Sequence, residues 1–191
     1  MYSLTELSHL SETQQRRFNF LIDKNYNKVY NLAYKLTGNR SDAEDLTQDT
    51  FYRAYKAFND FEGDKPFENW AYRILVRLFY DMIRNKNRRI QAVSFETTVK
   101  NNGQAEAATI DVADQKPNPE QNLLKDSVSE KMAYSLGQLK QSQRLLVLLA
   151  DVEELPYKDI ARIIGIPVGT VRSRLHRAHK ALRVHLEGQP N

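Results

Sequence analysis

The sequence predicts an all-α protein made of two small helical domains joined by a flexible acidic linker. Three observations carry this. Apolar residues recur at spacings of three and four through both ends of the chain, which builds one-sided helices. Helix starts and stops are marked by capping residues, glycine and proline. No segment alternates long enough for a strand, and only 7 glycines in 191 residues is a poor supply for sandwiches, barrels or dinucleotide folds.

In the first domain, Phe18, Leu21, Ile22, Tyr26, Val29, Leu32, Ala33 and Leu36 form one apolar face, and Gly38-Asn39 closes that helix. Ser41-Asp42-Ala43-Glu44 reads as a capping box opening a second helix, which carries Leu46, Thr50, Phe51, Ala54 and Phe58. Residues 60–66 are turn material. Trp70, Ile74, Leu78 and Met82 mark a third helix that ends in the basic run Arg84 to Arg89. The second domain opens at Asn118-Pro119, an N-cap followed by proline at the first helical position. Helices are expected there near 120–137, 141–153, 156–164 and 168–187. The divisions are a polar N-terminal extension at 1–16, with no assigned role, a first domain at 17–91, a linker at 92–118 and a second domain at 119–188.

Charge sharpens this division. The total is only +4, but residues 1–91 hold 15 basic and 12 acidic residues, residues 92–130 hold 3 and 7, and residues 131–191 hold 10 and 5. Two basic segments flank an acidic middle with few large apolar residues, a composition that does not order itself. Cysteine is absent, which removes disulfides and thiolate chemistry. There is no long apolar run for a membrane helix and no apolar signal core at the N-terminus, so no membrane insertion is expected. No carboxylate, histidine and glycine loop combine into a catalytic site, and no cofactor is implied. His176 and His179 share a helix face, but their basic neighbours oppose a metal ion.

The strongest local pattern is 155–186. Tyr157 to Gly165 reads as a short helix, Gly165 as the tight turn, and Pro167 as the start of a second helix, giving a helix-turn-helix. Unrolled at about 100° per residue, Val171, Leu175, Ala178 and Leu182 face inward. Arg172, Ser173, His176, Arg177, Lys180 and Arg183 lie opposite, with Arg174 at the flank. From Val168 to Arg183 there are five Arg or Lys residues and no acid. An ordinary solvated helix mixes signs to gain pairs four residues apart; this one accepts self-repulsion, which suits a polyanion. In the first domain, Asp42, Glu44, Asp45 and Asp49 form an acidic patch beside Phe51, Tyr52 and Tyr55. The patch fits either helix capping or a basic helical partner. Arg73, Arg77, Arg84, Lys86, Arg88 and Arg89 interleave with aromatics after the loop, which suits unstacked nucleic acid.

Three stretches together resemble the extracytoplasmic-function (ECF) sigma factors, group 4 of the sigma-70 superfamily. They are Asp42 to Tyr55, Phe67 to Ile74, and Ile166 to Ala178, in the family's order and spacing. The resemblance covers about 18–90 and 120–187. It implies a cytoplasmic subunit, at the nucleoid when assembled, that binds core RNA polymerase, both the β′ clamp helices and the β subunit, and directs initiation at promoters. Core binding would use Asp42, Asp45, Gln48, Asp49 and Phe51. The minus-10 element would meet Asp64, Lys65, Asn69, Trp70, Arg73, Arg77, Arg84 and Arg88. The minus-35 element would meet Thr170, Arg172, Ser173, Arg174, His176, Arg177 and Lys180. The linker would thread polymerase near the RNA exit path, and an anti-sigma factor is a further implied partner. Arg77 stands where the family usually has Asn, so the family's minus-10 base preference does not carry over. The competing reading from the residues is a helix-turn-helix regulator with a helical sensor domain. It leaves the acidic helix and aromatic loop without a purpose.

Overall fold

The computed structural model describes residues 10–61, 63, 65–100 and 130–187. Helix α1 spans Glu12–Thr37, α2 Arg40–Lys56 and α3 Phe67–Lys100, with a short 3₁₀ turn at Phe58–Asp60. The second bundle contains α4, Glu130–Gln138; α5, Gln141–Val147; α6, Tyr157–Ile164; and α7, Val168–Glu187. Every regular element among the described residues is helical.

Three boundaries differ from expectation, each for a local reason. Helix α1 begins inside the polar extension because Ser11 accepts from the Gln14 backbone while the Gln14 side chain accepts from the Ser11 amide. Leu10, just outside it, is buried. Helix α2 starts one residue earlier than Ser41, with Asn39 as its N-cap receiving the Asp42 amide at 2.9 Å; Asp42 is a first-turn acid. Helix α3 runs to Lys100, nine residues into the expected linker. No proline or glycine interrupts 67–100, and 34 residues give a helix of about 50 Å. The remainder of the linker and the Asn118-Pro119 start signal lie outside the described residues.

The first core is aromatic. Phe18 packs edge-on against Tyr55, Phe58 and Phe67, with ring centroids 4.9–6.1 Å apart. Such pairs add about 0.5–1.5 kcal/mol each beyond area burial. Thr47 and Thr50 are fully buried, and their hydroxyls donate to the Ala43 and Leu46 carbonyls one turn back. The second core is aliphatic, centred on Leu145, Leu148, Leu149, Ile160, Val171 and Leu175. Helix α5 widens at its end into a turn closed five residues apart, Glu153 N–H donating to Leu148 C=O at 2.9 Å.

The two bundles are in contact. Helix α6 packs against α3 and α5 touches α1. The Tyr72 hydroxyl of α3 donates to the Glu153 carboxylate, and Arg144 Nη1 of α5 donates to the Leu36 carbonyl at 3.4 Å.

Candidate functional site

The helix-turn-helix forms as the glycine and proline dictate. Gly165 holds φ at 80°, and its amide and that of Ile166 both donate to the Ala161 carbonyl, at 2.9 and 3.1 Å. The Pro167 carbonyl then accepts from Thr170 and Val171, starting α7. Val171, Leu175, Ala178 and Leu182 are buried on that helix. Arg172, Ser173, Arg174, His176, Arg177 and Lys180 are all exposed, and Thr170 is half-buried at the helix start. Arg177 Nε donates to the Ser173 carbonyl at 3.3 Å, which lays its stem along the helix. His179, next to Arg172 and His176 around the helix, pairs with Asp151 at 2.7 Å. The result is a rigid helix with an apolar back and a cationic front, sized for a duplex major groove.

Helix α3 carries a second basic stripe. Arg73, Arg77, Arg84 and Arg88 are exposed, and their spacings of 4, 7 and 4 residues keep them within about 60° of one another at 100° per residue. Between them lies a groove of about 620 Å³ lined by Arg77, Tyr80, Asp81, Ile83, Arg84 and Asn87. At the helix start, Trp70 is half-buried, with its ring 5.1 Å from Phe61 and 5.6 Å from Phe67. It is at once core and surface. Asn69 Oδ1 is buried without a hydrogen-bond partner, an acceptor that costs free energy until a donor reaches it. Lys65 is exposed in the loop; Asp64 lies outside the described residues. Burial raises the pKa of the Tyr80 hydroxyl, and the charge of Arg174 of α7 opposes that shift.

On α2, Asp45, Gln48 and Asp49 are exposed on one face. The other two residues expected there behave differently. Phe51 is only 8% exposed and stacks on Tyr26, with centroids 5.8 Å apart and planes 13° from parallel. It faces the α1–α2 seam, because its place in the helix is one turn from buried Thr47 and Ala54. Asp42 pairs with Lys86 of α3 at 2.5 Å and accepts from the Asn39 amide at 2.7 Å. The Asn39 amide and then the Lys86 ammonium hold its carboxyl below the usual range. It clasps α2 to α3 rather than standing open.

Comparison with known proteins decides the assignment. Residues 21–89 match Sigma-70 region 2, and residues 129–182 match Sigma-70, region 4. The ECF RNA polymerase sigma factor SigW of Bacillus subtilis is 31% identical over 180 residues, covering 94% of both chains. The chain belongs to the ECF sigma factors. SigE of Mycolicibacterium smegmatis is 36% identical over 166 residues, 87% of this chain and 60% of that relative. A solved sigma factor, RpoE in complex with the anti-sigma factor NepR from Bartonella quintana, superposes with a TM-score of 0.65 over 94% of this chain and all of that one, at 23% identity. The protein is therefore a promoter-specificity subunit of RNA polymerase, built on the sigma fold. Among its described residues no helix is long and apolar enough to cross a membrane.

Four side chains that shape this sigma factor escaped sequence reasoning. Lys86 is a clasp and not part of the basic stripe. Tyr72 and Glu153 meet across 81 residues, and Arg144 reaches Leu36 across 108. The clasp had a signal, since a cation on α3 has an acid to answer on α2. The others had none, because a tyrosine in an apolar helical run reads as core.

Proposed function

We propose that this sigma factor divides promoter recognition between its two bundles, with boundaries near 17–91 and 119–188 joined through 92–118. The α2 face of Asp45, Gln48 and Asp49 docks the β′ clamp helices of core polymerase, while the second bundle meets the β subunit. Asn69, Trp70 and the stripe Arg73, Arg77, Arg84 and Arg88, with Asp64 and Lys65 before them, take the opened minus-10 strand. Aromatic stacking with charge on the backbone suits bases that have left the duplex, and the partnerless acceptor of Asn69 offers a base amino group a bond. Thr170, Arg172, Ser173, Arg174, His176, Arg177 and Lys180 read the minus-35 duplex. The observation that carries this is the sorting of α7, acid-free on its exposed face from Val168 to Arg183 and apolar behind. The solved sigma factor RpoE of this fold is in complex with the anti-sigma factor NepR, and the same control is proposed for this protein. It acts in the cytoplasm, on the nucleoid when assembled, and catalyses nothing itself.

Run-off transcription with purified core polymerase and a genomic template pool tests the reading. Promoter-dependent products are expected, and their absence defeats it. Arg172→Ala or Arg177→Ala should weaken initiation at minus-35-dependent promoters by about 1–3 kcal/mol, if the lost contact is bidentate to guanine. Core binding should stay intact. Equal losses on templates with and without the minus-35 element would reduce these arginines to phosphate contacts.

A further inference from the structure

The first turns of α1 are tied to the loop that leads into Trp70. Gln14 closes the helix start with its Oε1, which accepts from the Ser11 amide at 2.9 Å, and its Nε2 donates to Asn59 Oδ1 at 2.7 Å. Asn59 belongs to the 3₁₀ turn Phe58–Asp60. Three residues further along α1, Arg17 lays its guanidinium over two rings of the same segment. Its Cζ is 6.0 Å from the Phe58 centroid and 5.8 Å from that of Phe61, where a cation is drawn to the negative ring face. Those two rings are themselves stacked, 5.8 Å apart and 21° from parallel. Phe61 also meets Phe67 edge-on at 5.4 Å and Trp70 at 5.1 Å. The same guanidinium fills the space at Gly63, where an added Cβ would overlap Arg17 Nη2. Gly63 lies outside the left-handed region, so the guanidinium, and not backbone conformation, opposes alanine there.

Phe58 is buried against Phe18 and needs no cation to stay there. Phe61 is only half-buried, and it touches both Arg17 and Trp70. A displacement of the guanidinium therefore passes to Phe61, and from Phe61 to the ring that meets the opened minus-10 strand in the function proposed above. A stacking platform favours binding most when it is in place before the base arrives, because ordering it afterwards subtracts from affinity. We propose that Arg17, with Gln14 beside it, is a positioning residue for minus-10 recognition. It braces Phe58, Phe61 and Gly63 from α1, and through Phe61 it sets the platform of Trp70. The recognition consequence rests on the proposed function; the brace does not. Through Gln14, the polar start of the chain gains a part in shaping the loop.

Trp70 is the only tryptophan in the chain, so its emission reads the platform in the free, full-length protein. Arg17→Ala removes the brace. Gly63→Ala keeps Arg17 but takes the space of its guanidinium. Both should red-shift Trp70 emission and strengthen its quenching by acrylamide. The double variant should go no further than either alone, because the two changes break one contact. In holoenzyme, on a promoter recovered by run-off and unpaired at its minus-10 region, each variant should bind about two- to fivefold more weakly, as one exposed cation–π contact contributes. These losses too should not add in the double variant. Affinity for core polymerase should match wild type, as should the slope of DNA affinity against salt, since no phosphate contact is lost. Unchanged Trp70 emission and quenching in either variant overturn the brace, whatever the melting temperatures. Losses that add, or a shallower salt slope for Arg17→Ala, make Arg17 a direct DNA contact and overturn the positioning role. Altered emission with unchanged promoter affinity overturns it as well. If run-off yields no promoter, the function fails, while Trp70 emission and quenching still decide the brace.

Discussion

Phe51 and Asp49 sit two residues apart on α2, and the structure assigns them opposite consequences. Phe51 is buried and stacked under Tyr26, at the edge of the α1–α2 seam. Truncating a buried Phe to Ala costs about 3–5 kcal/mol, and the edge position puts Phe51→Ala near the lower figure. In a chain of this size each kcal/mol moves the melting point by about 2–4 °C, so a fall of roughly 6–12 °C is expected. Asp49 is exposed, and surface changes of that kind stay within about 0.5 kcal/mol, so Asp49→Ala should melt within about 2 °C of wild type. Its core affinity should nevertheless drop, on the order of tenfold for a central interface residue. The pair is read by circular dichroism melts and by anisotropy of labelled protein titrated with core polymerase, at a temperature well below both melts. There, folded Phe51→Ala should bind core nearly as wild type does. If instead it melts with wild type and loses core affinity as Asp49→Ala does, Phe51 is a docking residue and the seam is misread.

Other outcomes rest on single contacts. Gly165→Ala should cost about 1–2 kcal/mol purely through its left-handed backbone, since nothing lies within 4 Å of an added Cβ; Gly137→Ala, equally open but helical, should stabilise by up to about 1 kcal/mol. Urea titrations of the two variants check the opposite signs. The Asp42 carboxyl is depressed by Asn39 and Lys86. Its contribution is therefore complete above the unfolded value of about 4 and fades as pH falls through the lower folded value. Asp42→Asn should flatten that acid limb of the stability profile, and an unchanged limb would remove the clasp from the account. Arg172→Ala and Arg177→Ala should each lower the salt dependence of duplex binding only if they also touch phosphate.

How much was legible in the sequence depends on the range of the interaction. The turn at Gly165 and the split faces of α7 are local, written in residues three and four apart, and the structure places them as read. Trp70 was ambiguous because it does both things, one side of the ring against Phe61 and Phe67 and the other on the surface. The acidic patch is divided for a related reason. Adjacency in sequence put Asp42, Asp49 and Phe51 in one group, whereas at 100° per residue Phe51 points away from the two acids, and Lys86 and Tyr26, contributed by other helices, engage Asp42 and Phe51. The contact between bundles could not be read at all. A helix pattern says which face is buried and not what buries it, so Tyr72 gave the same signal whether it packed under its own helices or under Glu153 of the other bundle. The Glu153 turn is equally silent, because its position depends on the widened end of α5, where the hydrogen bond closes over five residues instead of four. Glu153 closes that wider turn, and its carboxylate accepts from Tyr72 of α3. One contact between the bundles thus forms at an irregular helix end, and Tyr72→Phe probes it while keeping the buried ring.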